Sequence, residues 1–260
     1  MYNPTVFENS YLWLQRQVAK LGYNFEVRSV KPDSFPPYVE PAFLTLLNKW
    51  RDATMTPWSA LHTSFRAAQY VARNKVPGAI VECGVWRGGC SLLMAEAVLA
   101  CGGPSHDFFL YDTFAGMSEP TAEDTSDGGH ASGFFAKSKR TDEYVDWCYA
   151  SIDEVRANIA RSAYPQEKFT LVKGKVEDTM PGTLPGQIAL LRLDTDWYES
   201  TRHEMTHLFP LLVSGGVFIC DDYTRWGGAQ KAVDEYLATL DEPFLLTVDA
   251  GSGRAIGVRR

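Results

Sequence analysis

Excess positive charge is missing from this chain of 260 residues: 25 lysines and arginines face 32 aspartates and glutamates, for a formal net charge of −7. No long basic run offsets that balance, which excludes the electrostatic footprint of a nucleic-acid partner. No apolar stretch approaches the roughly 20 residues that a membrane-spanning helix needs, so no membrane partner is expected. The N-terminal "MYNPTVFENS" lacks a basic start followed by an apolar core, and no secretion signal is expected. Cysteine is sparse: Cys83, Cys90, Cys101, Cys148 and Cys220 are scattered without C-x-x-C spacing. An odd, unclustered set argues against a disulfide framework and a thiolate zinc site, and reads as reduced thiols in a cytoplasmic protein. Repeats and low-complexity tracts are missing too.

What is present is an alternation. Residues 1–57 read as a helical, aromatic-rich preface interrupted by the proline-rich "KPDSFPPYVEP". Residues 58–260 read as one α/β domain. A helix is expected from about Trp58 to Asn74, and "AIVECGV" is then a buried strand leading through a glycine turn into the helix "CSLLMAEAVLA". Further strands are expected in "DFFLYDTF", "EKFTLVKGKV", "QIALLRLDTD" and "GGVFICDD". A hairpin around Gly251–Gly253 joins "PFLLTVDA" to "RAIGVRR". Strands alternating with helices predict a largely parallel, doubly wound sheet whose ligands bind at the carboxyl ends of the strands.

Those ends are acidic: Glu82, Asp112, Asp194 with Asp196, and Asp221 with Asp222. After the first strand, Gly84 and Gly88 permit a sharp turn and close approach of a ligand to the next helix, or merely a tight strand–helix turn. Trp86 stands where a dinucleotide fingerprint would have glycine. Asp112 can accept the ribose hydroxyls of a nucleoside, or cap a turn. Both the dinucleotide and the S-adenosylmethionine readings fit that far. Asp194, Asp221 and Asp222 end two strands that would be neighbours, so they can converge on a hard cation such as Mg²⁺. Asp196 is then placed to take a proton. The plainer reading makes one or two of these aspartates helix caps.

"GAIVECGVWRGGCSLLMA", "LYDTFAGM", "LLRLDTDWYEST" and "GGVFICDDYTRWGGAQKAVDEY" resemble the macrocin O-methyltransferase (TylF-like) family over roughly residues 55–240. The resemblance implies a class I S-adenosylmethionine-dependent methyltransferase fold: a Rossmann-like, mostly parallel seven-stranded sheet with an antiparallel C-terminal hairpin. It implies S-adenosylmethionine and a divalent metal, usually Mg²⁺, and methylation of a sugar hydroxyl on a glycosylated natural product. By position, Glu82, Gly84, Gly88 and Ser91 would line the methionine and sugar part of the cofactor, and Asp112 would hold the ribose. Gly174, Glu177 and Asp178 would frame the adenine. Asp194, Asp221 and Asp222 would bind metal, with Asp196 the preferred base and Asp194 the alternative. A homo-oligomer is expected by the same likeness. A phenol or catechol acceptor is the runner-up, and a nicotinamide-dependent oxidoreductase stands further off.

Three other features stand apart. "RHEMTHLF" contains the zinc-protease pattern His203-Glu204-x-x-His207, but its place on the helix after the fourth core strand reads as a surface or sheet-packing helix. Residues 115–140, polar and glycine-containing, are expected to form a lid, with His130 and Phe134 or Phe135 facing an acceptor. "FENSYLWLQRQVAKLGY" has the periodicity of an amphipathic helix that packs on the domain or on another subunit.

Overall fold

The computed structural model describes residues 35–126, 129–249 and 252–260. The amphipathic helix expected near the N-terminus lies outside the described residues. A boundary between two compact units falls between Lys49 and Trp50. Helix α1 (Pro41–Trp50), whose last residue falls beyond that boundary, opens on a proline, tolerated at the first helical position because its amide is unpaired there anyway.

The second unit is built on a sheet. Helix α2 (Trp58–Arg73) leads to strand β1 (Ala79–Cys83), helix α3 (Gly89–Leu99) and strand β2 (Phe108–Asp112). A short hairpin follows, β3 (Thr125–Ser126) with β4 (Gly129–His130), then the one-turn helix α4 (Ser132–Phe135) and helix α5 (Ile152–Arg161). Next come β5 (Phe169–Lys173), the one-turn helix α6 (Val176–Thr179), β6 (Ile188–Leu193) and α7 (Tyr198–His207). Strand β7 (Leu212–Cys220), α8 (Gly227–Leu237), β8 (Leu246–Val248) and β9 (Ala255–Val258) complete it.

The sheet has seven strands in the order β5–β2–β1–β6–β7–β9–β8, parallel except that β9 runs antiparallel to both neighbours. Every residue of the central strands β1 and β6 is buried, as expected of parallel strands covered on both faces. The expected strand "EKFTLVKGKV" ends at Lys173, because Gly174 turns the chain at φ +141° and Val176 begins a helical turn instead. Helix α3 is apolar all round and buried almost throughout, so it lies inside the domain and not upon it.

Side-chain alternation divides the sheet. Val81, Cys83, Leu191, Leu193, Phe218 and Cys220 share one apolar cluster with Met205 of α7, Leu208 just after it, and Ala229 and Val233 of α8. The intervening Glu82 and Arg192 therefore point to the other face, toward Ser91 of α3. The register then sets the rim. Cys83 lies opposite Tyr111 and Leu193, and Leu193 opposite Cys220. The next residues along each strand, Gly84, Asp112, Asp194 and Asp221, consequently form one row. No helix among the described residues is long and apolar enough to cross a membrane.

Candidate active site

The turn after β1 is shaped by contact with the strand beside it. Gly84 has φ +81°, and a Cβ there would lie 2.0 Å from the Asp194 carbonyl oxygen, so no other residue fits. Trp86 follows in the left-handed region at φ +47°, and Gly88 caps α3 at φ +85°. The carboxylate of Asp112 holds this turn from β2. Its Oδ2 accepts from the amides of Val85 (2.7 Å) and Trp86 (2.9 Å), and its Oδ1 from Phe114 (2.7 Å). Burial raises the Asp112 pKa in spite of those three amides. Gly174 joins the row by donating to the Asp112 carbonyl at 3.0 Å, whereas Glu177 and Asp178 stand exposed on α6.

Beneath the rim lies a buried ionic cluster. Arg192 is wholly inaccessible and pairs with Glu82 at 2.6 Å, Asp194 at 2.7 Å and Asp221 at 2.9 Å. Arg254, just before β9, adds a second guanidinium to Asp221 at 2.8 Å. Glu82 also accepts from the Ser91 hydroxyl, so both residues are buried and partnered within the protein. Glu82 is pushed up by burial, with Arg192 and Ser91 opposing.

Asp194, Asp221 and Asp222 each offer one oxygen, and these atoms lie within 4.8 Å of one another. Their electrostatics differ. Burial pushes Asp221 up, but Arg192 and Arg254 outweigh it and its pKa falls below the ordinary value. Asp194 and Asp222 are raised well above theirs, first by burial and then by neighbouring carboxylates. Asp196 is raised by burial to about 6 and lies within hydrogen-bonding reach of Asp222. Carboxylates that meet this way must share a proton or a cation. With three oxygen donors and neither imidazole nor thiolate, the set fits a hard divalent ion. Asp196 also has φ +70°, a left-handed backbone rare for a side-chain-bearing residue and concentrated at functional sites.

The segment after β2 closes over this edge. Met117 donates to the Trp147 carbonyl at 2.9 Å, and Trp197 Nε1 to the Ser118 carbonyl at 3.0 Å. Trp147, Trp197 and Trp226 pack with ring centroids 5.0–6.5 Å apart. Asp124, fully buried, accepts from the Tyr198 amide at 2.8 Å and from Thr121, so it caps α7 from within the segment. Of the aromatics expected to face an acceptor, Phe134 is exposed and Phe135 is buried. His130 is half-buried and accepts from the Ser132 amide at 3.0 Å. Cys148, at φ +54°, has its thiol pushed up by burial and by Asp196, Asp194 and Asp222, which places it near the acidic group.

Sequence reasoning missed Arg192, Arg254 and Asp124. An arginine inside "IALLRL" was a usable signal, since a charge in a strand buried on both faces needs partners. Nothing local marks Arg254, which reaches Asp221 only because β9 inserts beside β7. The zinc-protease pattern dissolves: Glu204 is fully buried and bonded to Thr195, while His203 approaches the Met180 carbonyl at 3.3 Å. Among the described residues, the aspartate triad is the group of three or more candidate metal ligands.

Residues 51–250 match the family described as Macrocin-O-methyltransferase (TylF). The chain is 34% identical over 183 residues to 8-demethyl-8-(2,3-dimethoxy-alpha-L-rhamnosyl)-tetracenomycin-C 4'-O-methyltransferase of Streptomyces olivaceus, covering 70% of this chain and 67% of the relative. It is 32% identical over 197 residues to demethyldecarbamoylnovobiocin O-methyltransferase of Streptomyces niveus, covering 75% and 72%. Among solved structures, the O-methyltransferase NovP superposes with a TM-score of 0.67 at 29% identity, over 80% of this chain and 82% of that one. A nicotinamide-dependent oxidoreductase is thereby set aside. With its family match, strand order and rim of acidic strand ends, this chain belongs to the macrocin-O-methyltransferase (TylF) family and is an O-methyltransferase of the class I fold.

Proposed function

We propose that this protein methylates a sugar hydroxyl of a glycosylated natural product, a macrolide, aminocoumarin or similar antibiotic. S-adenosylmethionine is the donor, and a divalent cation such as Mg²⁺ is held by Asp194, Asp221 and Asp222. The observation that carries the proposal is the convergence of three carboxylate oxygens within 4.8 Å at the ends of β6 and β7, in a chain of an O-methyltransferase family. The sugar acceptor is supported by a relative at 34% identity whose name specifies a rhamnosyl substrate.

The cofactor's methionine and sugar part would lie along the turn of Gly84 and Gly88, with Glu82 and Ser91, buried and bonded to one another, supporting it from beneath. Asp112 would take the ribose, sharing its oxygens with the amides it already binds. Gly174, Glu177 and Asp178 would frame the adenine. A sugar hydroxyl barely ionises at neutral pH and is a poor nucleophile. A divalent cation, when bound, supplies Lewis acidity that lowers a hydroxyl's pKa and orients it. The cofactor supplies a methyl carbon already activated by its sulfonium. Asp196 accepts the hydroxyl proton, its carboxylate lying within hydrogen-bonding reach of Asp222 at the edge of the aspartate triad. Asp194 is the less suitable base because Arg192 occupies its Oδ2. The segment at 115–140 excludes water from the aligned reactants. A homo-oligomer belongs to the same proposal, to be read by light scattering.

The test is a panel of glycosylated and phenolic acceptors, incubated with S-adenosylmethionine and either Mg²⁺ or a chelator, with products weighed by mass spectrometry. A methylated sugar that forms only with cation is the expected result. Product formed equally in chelator removes the metal from the mechanism. Methylation of catechols but no glycoside overturns the acceptor class.

A further inference from the structure

Glu204 has no place in the proposed chemistry, yet it is a fully buried carboxyl group on α7 directly behind the Asp194–Asp196 loop. Its partner is the residue between those two aspartates. The Thr195 hydroxyl donates to the Glu204 carboxyl, 3.0 Å from Oε1 and 3.2 Å from Oε2. The Cys83 thiol, at the end of β1, lies within hydrogen-bonding reach of the same carboxyl. Glu204 therefore ties a helix on one face of the sheet to the loop that carries two functional acids.

That loop needs holding. Asp196 has φ +70°, a backbone state that an aspartate keeps only where its surroundings over-determine it. On one side the loop is fixed by the Asp194 amide donating to the Cys83 carbonyl at 2.9 Å and by the backbone of Gly84 pressed against Asp194. On the other, the Trp197 amide donates to the Thr195 carbonyl at 2.9 Å, and the Trp197 ring is held by Ser118. Between these backbone ties, the Thr195 hydroxyl adds a side-chain anchor from the loop to Glu204. Released, Asp196 can relax toward ordinary φ and carry its carboxylate away from Asp222.

We infer that Glu204, acting through Thr195, is a positioning residue for Asp196. The inference rests on the reading of Asp196 as the base. It turns the glutamate of an apparent zinc-protease pattern into a brace for the aspartate loop. The hydroxyl of Thr195 is the group to remove, because valine keeps its shape and serine keeps its donor.

The experiment measures kcat, acceptor KM and S-adenosylhomocysteine affinity for Thr195→Val and Thr195→Ser, each in the parent chain and with Asp196→Asn. Thr195→Val is expected to lower kcat about 10–100-fold, the range for an outer-shell support, with S-adenosylhomocysteine affinity and circular dichroism unchanged. Thr195→Ser is expected to restore kcat to within about threefold, and Thr195→Val to add less than about twofold once Asp196→Asn is present, since groups acting as a unit are not additive. A Thr195→Val enzyme with parental kcat, beside an impaired Asp196→Asn, overturns the positioning role alone. An equal fall in both backgrounds, or one accompanied by lost S-adenosylhomocysteine affinity, also overturns it by showing general structural damage. Full turnover by Asp196→Asn overturns the base assignment itself, and this inference with it. Should Thr195→Val not fold, the serine variant still decides: a loss of kcat there, in a folded protein that binds S-adenosylhomocysteine, refutes the anchor.

Discussion

At the ends of β1 and β2 the acidic side chains are met by hydrogen-bond donors, and at the ends of β6 and β7 they are met largely by one another. Asp112 collects three backbone amides, and Glu82 has Ser91 and Arg192. Asp222, by contrast, has a guanidinium only at 3.9 Å, on an exposed arginine, and its near neighbours are Asp194 and Asp196. The first arrangement builds a rigid shape before any ligand arrives. The second stores repulsion that a divalent cation would relieve, which is how buried like charges become functional. Asp221 sits at the junction: it belongs to the triad by distance and to the satisfied group by its two arginines.

The largest expected effect separates Asp221 from Asp222. Asp221→Ala strands the buried Arg254 guanidinium and takes one of three carboxylates from Arg192, and should lose about 3–5 kcal/mol of stability in chemical denaturation, with activity abolished. Asp222→Ala should abolish turnover without any such loss of stability, because no buried partner is orphaned and repulsion among the carboxylates is relieved. Equal destabilisation by both would erase the distinction drawn above. Next in size is Asp112→Ala, which removes the acceptor for three amides at about 1–3 kcal/mol for each one left buried without a partner. Binding of S-adenosylhomocysteine, followed by calorimetry, should fall with it.

Acidity gives a subtler contrast. Asp194, Asp222 and Asp196 have folded-state pKa values above their unfolded ones, so the folded chain binds more protons between the two. Their contribution to stability therefore declines as pH rises from roughly 4 toward and through the folded values. Chelated protein should lose less stability on acidification from pH 7.5 to 5.5 than Asp222→Asn does, and Mg²⁺ should raise Tm more at pH 7.5 than at 5.5. The smallest effect lies at the opposite end of the sheet. His106, just before β2, is buried and held between the Val76 carbonyl and Ser105, and burial lowers its pKa. Its contribution is present above about pH 6.5 and is lost as pH falls from there through the lower folded value. His106→Gln should flatten the acid limb of the stability profile slightly, without touching turnover.

Much of the fold was legible because its signals are local. Short apolar runs ending in Glu82, Asp112, Asp194 and Asp221 announce parallel strands and a ligand-binding edge, and the glycines after β1 announce a tight turn. The site was legible as a set of acids but not as a charge balance. Arg254 stands 33 positions from Asp221 in the chain and reaches it only through the antiparallel strand inserted beside β7. Asp124 could be read only as part of a polar segment, since its capping of α7 depends on that segment folding back across the edge. "HEMTH" misleads for the same reason, because its spacing is compatible with zinc while the direction of Glu204 is set by packing.

The order of strands and helices, the acidity of the strand ends and the family likeness follow from the sequence itself, because periodicity, turn chemistry and motif spacing act over a few residues at a time. Which acids are neutralised by arginine, which remain in conflict, and which glutamate braces the aspartate loop were decided only in the tertiary structure. Ionic pairing and pKa depend on distances of a few ångströms between side chains far apart in the chain, and only the packed sheet brings them to those distances.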